Sequence, residues 1–231
     1  MPEISILSGG AAQGLVKALA PKFATTSGYG IDGTFGAVGA MRARLATGPA
    51  PDVVILTAAI IAELADGGIV MRDTIADLGA VETAIAIRAG DPMPAVADAS
   101  SLREALLAAD AIYFPDPMLA TAGIHFAGVL EKLDIGAAVA ARLRPFPNGT
   151  TAMAALAKAP EARPIGCTQA TEILAATGVA LVEVLPRGLD LSTRYTAGVV
   201  ASSPNQAKAR DLVKLLTSED QQDARRRAGF A

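Results

Sequence analysis

The stretch Ile4-Ser5-Ile6-Leu7-Ser8-Gly9-Gly10-Ala11 sets a short apolar run directly against a glycine turn. Beyond it Leu15, Leu19 and Phe23 recur at helical spacing, so the first thirty residues read as a strand, a tight turn and a helix. Pro21 falls inside that helical pattern and is expected to bend or shorten it. The same unit returns along the chain. Ile31 to Phe35 leads through Gly36-Ala37-Val38-Gly39 into a helix with Met41 and Leu45 inward, ended by Gly48. Asp52 to Leu56 is a third strand, and its helix stops at Gly67-Gly68.

Further strands are expected at Thr83 to Arg88, Ala111 to Phe114, Arg142 to Phe146, Pro164 to Cys167, Ala180 to Leu185 and Thr193 to Ala201. Ser101-Leu102-Arg103-Glu104 has capping-box spacing for a short helix, and Ser218-Glu219-Asp220-Gln221 opens a last helix that closes near Gly229. Strands alternating with helices predict an α/β fold with largely parallel sheet. The chain has 231 residues, enough for one large domain or two lobes of about 100 residues each. With 52% apolar residues, few aromatics and no Trp, the core must rest on Ala, Val, Ile and Leu.

Charge and composition exclude several functions. The net charge is −3, and Lys and Arg nowhere cluster with aromatics, so no nucleic-acid partner is expected. Arg225, Arg226 and Arg227 read as the solvated last turn of a helix. A single cysteine, Cys167, and a single histidine, His125, argue against a disulfide framework and a metal site; no cofactor is expected. No window reaches the roughly 18 apolar residues of a membrane span, so no membrane insertion is expected. Met1-Pro2-Glu3 enters the first strand without a basic start or cleavage site, which reads as cytoplasmic, or as periplasmic if a leader was trimmed.

The recurrent chemistry is a strand, a loop rich in small or hydroxylic residues, and a helix start. Helix starts present unpaired N–H groups and partial positive charge, so several on one side of a sheet make an anion site. The ligand-binding candidates are Ser8, Gly9, Gly10 and Ala11; Val38 and Gly39; Thr121, Ala122 and Gly123; Asn148, Gly149 and Thr150; and Gln169. Taken singly, each loop also reads as an ordinary cap or turn.

In Ile4 to Ala11, Gly48-Pro49-Ala50-Pro51-Asp52-Val53-Val54-Ile55, Asp116-Pro117 with Ala122-Gly123, and Arg227-Ala228-Gly229-Phe230, the sequence resembles the molybdate-binding-protein-like group of type II periplasmic binding proteins. The resemblance covers nearly the whole chain. It implies two lobes, each a mostly parallel sheet flanked by helices, joined by a two-strand hinge and closing on a ligand. Lobe 1 would be 1–82 with 198–231, and lobe 2 would be 83–197. Molybdate receptors of this group hold the oxyanion with serine hydroxyls, backbone N–H groups and often a tyrosine. Here the matching positions are Ala11, the Ala37-Val38-Gly39 loop and Gln169, which suits a larger, less symmetric anion such as a polycarboxylate.

Two functions follow. One is binding of a small anion, carboxylate or oxyanion, with a transporter partner if the protein is exported. The alternative is a cofactor-independent, cytoplasmic isomerase of a small polycarboxylic acid, since aconitate isomerase is an activity associated with molybdate-receptor-like proteins. In that case His125 would be the catalytic base, with Asp116 in reserve. Otherwise His125 is a partly exposed helix residue, and Asp116 belongs to a rigid Pro-Asp-Pro turn. Arg42 is a candidate carboxylate clamp or solvated surface. Cys167, ending an apolar strand, reads as a small buried residue.

Overall fold

The computed structural model describes residues 1–231. The chain divides into two compact units, 1–81 with 193–231, and 82–192.

The first unit carries β1 (Glu3–Gly9), β2 (Gly30–Gly36), β3 (Val53–Thr57) and β9 (Ser192–Val199). β1 lies between β2 and β3, parallel to both, and β9 runs antiparallel to β3 from Val53↔Val199 to Thr57↔Tyr195. That pairing puts nearly all of β9 in the first unit, so the second chain crossing falls at 192/193 rather than near 198. Around the sheet stand α1 (Gln13–Ser27), α2 (Val38–Thr47), α3 (Ala58–Asp66), α9 (Gln206–Thr217) and α10 (Gln222–Arg227). Leu15, Leu19 and Phe23 of α1 are buried, as are Leu212 and Leu216 of α9. Pro21 neither ends nor shortens α1. Both Pro21 and Lys17, whose carbonyl loses a partner, face solvent, where water satisfies the missing bond.

Asp52 fastens this unit. It is 4% exposed, and its carboxylate accepts from Ser5 N–H (2.8 Å), Ser5 Oγ (2.9 Å), Ser203 Oγ (2.6 Å) and Asn205 Nδ2 (3.2 Å). Burial alone would push this carboxyl upward. The four hydrogen bonds outweigh it together and hold its pKa below the ordinary value.

The second unit holds the later part of β4 (Ala76–Arg88), then β5 (Ala111–Pro115), β6 (Leu143–Phe146), β7 (Pro164–Gln169) and β8 (Val179–Val184). β5 runs parallel to β6 and β7, while β4 is antiparallel to β7 and β8. Its helices are α4 (Ala99–Ala108), α5 (Thr121–Lys132), α6 (Gly136–Val139), α7 (Gly149–Leu156) and α8 (Ala170–Leu174). One apolar cluster joins Ile85, Leu102, Leu106, Ile112, Phe126 and Cys167. The capping box of α4 sits three residues upstream of its expected place. Asp98 is the N-cap and Ser101 the third helical residue, because the Asp98 carboxylate reaches Ser101 N–H at 2.8 Å. Arg142 donates to the carbonyls of Leu107 and Ala109, both at 2.7 Å, closing the other end of α4. No helix is long and apolar enough to cross a membrane.

Candidate functional site

In the first unit the helix starts are open. Gly9 precedes a 3₁₀ turn over Gly10–Ala12, Ala37 precedes α2, Thr57 precedes α3, and none of the three gives a side-chain cap. Two of these loops meet at Gly9. A Cβ there would stand 3.1 Å from the Tyr195 ring and 3.2 Å from a Val38 methyl, so the glycine lets both side chains approach this closely without a shift. Gly10 and Gly39 are half-buried and Ala11 is buried, leaving backbone rather than side chains as the polar groups of these turns.

Ser8 joins them only through its backbone. Its fully buried hydroxyl donates to the Gly9 carbonyl at 2.8 Å and is not available to a ligand. Tyr195 and Thr57 escaped the sequence reading. Thr57 ends an apolar run without glycine, and Tyr195 lies far from Gly9 in sequence; only the antiparallel pairing Thr57↔Tyr195 brings β9 here. Arg42 is an exposed ion-pair partner of Glu63 through its Nη2.

In the second unit the two predicted loops differ. α5 begins without a side-chain cap, at Ala120. The N–H groups of Thr121, Ala122 and Gly123 make no hydrogen bond within the chain; the nearest backbone bonds are Ala120 N–H to Asp116 O and Ile124 N–H to Ala120 O. Gly123 lies so close to the preceding strand end that a Cβ would be 2.3 Å from the carbonyl oxygens of both Pro115 and Asp116. The start of α5 is therefore an open, rigidly seated set of donors.

α7 is closed. Asn148 caps it through Thr151 N–H at 2.9 Å, with Thr151 Oγ returning to the Asn148 N–H. In addition Glu172, 7% exposed, turns its carboxylate into the helix start. It accepts from Thr168 Oγ1 at 2.6 Å and from the N–H groups of Thr150, Gln169 and Gly149. Its Oε2 would be 1.9 Å from a Cβ on Gly149, so the absent side chain of that glycine is the space the carboxylate uses. Burial pushes the Glu172 pKa up, and the hydrogen bonds oppose this without cancelling it. The N–H groups expected of Gly149, Thr150 and Gln169 thus face an internal anion, a pattern that a Gly-Thr pair does not announce in sequence.

His125 is half-buried on α5. Its Nε2 lies 2.7 Å from the Leu189 carbonyl, which can only accept, so Nε2 carries the proton and Nδ1 is the basic atom. Asp116 holds the turn before α5. Its Oδ1 accepts from Met118 N–H at 2.7 Å and Leu119 N–H at 3.0 Å, so the carboxylate builds the turn into α5. Cys167 is fully buried and burial raises its thiol pKa far above the ordinary range, which keeps it protonated and unreactive.

Comparison with known proteins places this geometry. The periplasmic molybdate-binding protein of Azotobacter vinelandii superposes with a TM-score of 0.81 at 16% identity, over 99% of this chain and 98% of that one. The sulfate-binding protein SubI of Mycobacterium tuberculosis gives 0.75 at 19% identity, over 100% and 86%. An aconitate isomerase of Pseudomonas sp is 26% identical over 223 residues, 94% of this chain and 83% of that protein. The fold is therefore the molybdate-binding-protein-like type II fold. The model of the bacterial extracellular solute-binding proteins matches residues 4–231, and the chain belongs to that family.

Proposed function

We propose that this protein binds a small anion carrying carboxylate groups; the candidate donors are the open helix starts at Gly9–Ala12 and Ala37–Gly39 in the first unit and, in the second, the one at Thr121–Gly123. The observation that carries this reading is the row of free N–H groups opening α5, in a chain where α4 and α7 are capped by side chains. A small compact oxyanion is not the favoured ligand. Ala11 and Val38 offer no hydroxyl, and the Ser8 hydroxyl is turned inward. In a thermal-shift panel of molybdate, tungstate, sulfate, phosphate and di- and tricarboxylates, a carboxylate should give the largest shift. At 100 times its dissociation constant it would add about 2.7 kcal/mol. Nanomolar tungstate binding would refute the carboxylate preference.

A variant separates stability from binding. Thr121→Asp puts a negative charge on the first residue of α5, which favours the helix by about 0.5 kcal/mol and repels an incoming anion. A melting temperature that is unchanged or higher, with the anion-induced shift lost, is the expected result; a retained shift would remove α5 from the site.

A second reading, isomerisation of the bound polycarboxylate, is favoured by two observations: the 26% identity to an aconitate isomerase and the free Nδ1 of His125. Proton abstraction beside a carboxylate needs a base near neutral pKa and donors for the enolate oxygens, and His125 stands on the helix whose start supplies such donors. Incubation with a polycarboxylate in D2O should then wash deuterium into the ligand, and His125→Ala should slow the exchange while binding persists. Exchange at an unchanged rate would remove His125 from that role.

A further inference from the structure

The carbonyl that meets His125, the chain's only histidine, belongs to a loop that is fixed from several sides. Residues 186–190 are closed on a single residue of β4: Leu185 N–H donates to Thr83 O at 2.9 Å, and Thr83 N–H donates to Leu191 O at 3.0 Å. Leu185 and Leu189 are buried in the same apolar cluster as Phe126, the neighbour of His125 on α5. Within the loop Leu189 N–H reaches Pro186 O at 2.9 Å, Gly188 takes φ +87, and Asp190 Oδ1 accepts from Gly188 N–H at 2.6 Å. Asp190 is exposed, so its contribution is this bond and not packing. The Gly188 N–H is also the first cause that holds its carboxyl below the ordinary range, with the charges of His125 and Arg187 as lesser ones. What the loop presents is the Leu189 carbonyl, 2.7 Å from His125 Nε2.

We propose that Asp190 is a positioning residue for His125: it closes the turn that aims the Leu189 carbonyl at Nε2, and so commits the imidazole to the form with Nδ1 as a free proton acceptor. The inference rests on the isomerase reading above and supplies the orienting group that a general base needs behind it. A neutral imidazole has two nitrogens and one proton, and a ring without a partner divides that proton between them. A carbonyl can only accept, so one held at Nε2 fixes the proton there and the ring with it. A base held this way need not reorient before it acts. Nδ1 takes a proton from the carbon beside a ligand carboxylate, the C–H electron pair passes into the enolate, and Nδ1–H returns the proton to a carbon of that system; nothing else is consumed. Both nitrogens of the imidazolium are donors, so Nε2–H keeps its bond to Leu189 O throughout.

With one histidine in the chain, nitrogen NMR of the ring reports on His125 alone. At about pH 9, where an ordinary imidazole is neutral, the wild type should show two widely separated ring nitrogen signals with the proton on Nε2. Asp190→Ala should draw the signals together, because a loosened turn lets both forms populate. Asp190→Asn keeps an acceptor for Gly188 N–H and should restore the wild-type separation. Gly188→Ala, strained at positive φ, should act like Asp190→Ala without touching the carboxylate. Glutaconate, a dicarboxylate with a CH2 between a carboxylate and a double bond, is the probe for exchange in D2O. Deuterium wash-in should slow about tenfold in both alanine variants and stay within about twofold of wild type in Asp190→Asn. A purely structural part would change stability and leave the ring signals where they were. A wild-type proton on Nδ1 overturns the inference, as do unchanged signals in both alanine variants, or an Asp190→Asn protein that behaves like Asp190→Ala. Ring signals that respond as expected, with no wash-in by any of these proteins, would instead overturn the isomerase reading.

Discussion

Replacing Asp52 with alanine is expected to destabilise the first unit by about 3–5 kcal/mol, since hydrogen bonds to a charged group and the donors orphaned on its removal each contribute on this scale. Four donors point at this carboxylate from two separate segments: Ser5 on β1, and Ser203 and Asn205 in the turn after β9. Without it they have no acceptor at a site that is 4% exposed. Asn is not a rescue. Ser5 N–H and Ser5 Oγ both reach Oδ2 while Ser203 and Asn205 reach Oδ1, so an amide must turn its own donor toward donors on one side. About half of the alanine loss is expected for Asp52→Asn. The sign with pH is fixed by the lowered pKa. Stability from this group is present above the ordinary value of 3.8 and is lost as pH falls through the lower folded value. Urea unfolding of wild type and Asp52→Asn should therefore converge as pH drops below about 4. A constant gap down to strongly acidic pH would mean that the charge is not what the cluster needs.

The same residue marks how much of the fold was legible. Asp52 stood in the quoted Pro51-Asp52-Val53-Val54 stretch as part of a resemblance and as a strand opener, yet its role depends on Ser203 and Asn205, about 150 residues away, which no local pattern shows. The strands fared well because each is a short apolar run bounded by turn residues, and β1, β2, β3 and β5 lie within two residues of their expected ends. β4 begins earlier than the expected Thr83, at Ala76, and carries Gly79 within it at φ +133.

The site was half legible. Helix starts are announced by strand–turn–helix order, which is local, whereas whether their donors are open or already occupied is decided by distant side chains. Glu172 closing α7 is such a case, and so is the Ser8 hydroxyl turning toward Gly9 O. Tyr195 enters through antiparallel pairing, a non-local event.

Two glycines on α5 give the second large effect. Gly128→Ala meets nothing within 4 Å and should stabilise the helix by roughly 0.5–1 kcal/mol, by removing conformational freedom from the unfolded chain. Gly123→Ala, on the same helix and chemically identical, should lower stability by about 3 kcal/mol or more, as overpacking of a rigid contact does. Its new methyl would stand 2.3 Å from two carbonyl oxygens, and neither can give way easily. Pro115 closes β5, and Asp116 O accepts Ala120 N–H at 3.1 Å in a turn also held by Asp116 Oδ1. The relief open to the protein is to lift the first turn of α5 off the strand end by about 1 Å, the difference between such a clash and van der Waals contact. That movement carries the N–H groups of Thr121 and Ala122 with it. A displacement of this size weakens aligned hydrogen bonds to a ligand, so anion affinity should fall on the order of tenfold or more in whatever fraction stays folded. Gly128→Ala should leave affinity unchanged. Chemical denaturation and calorimetry on the pair separate the outcomes. A Gly123→Ala protein that loses stability but binds as wild type would show that the start of α5 holds the fold together and takes no part in holding the anion.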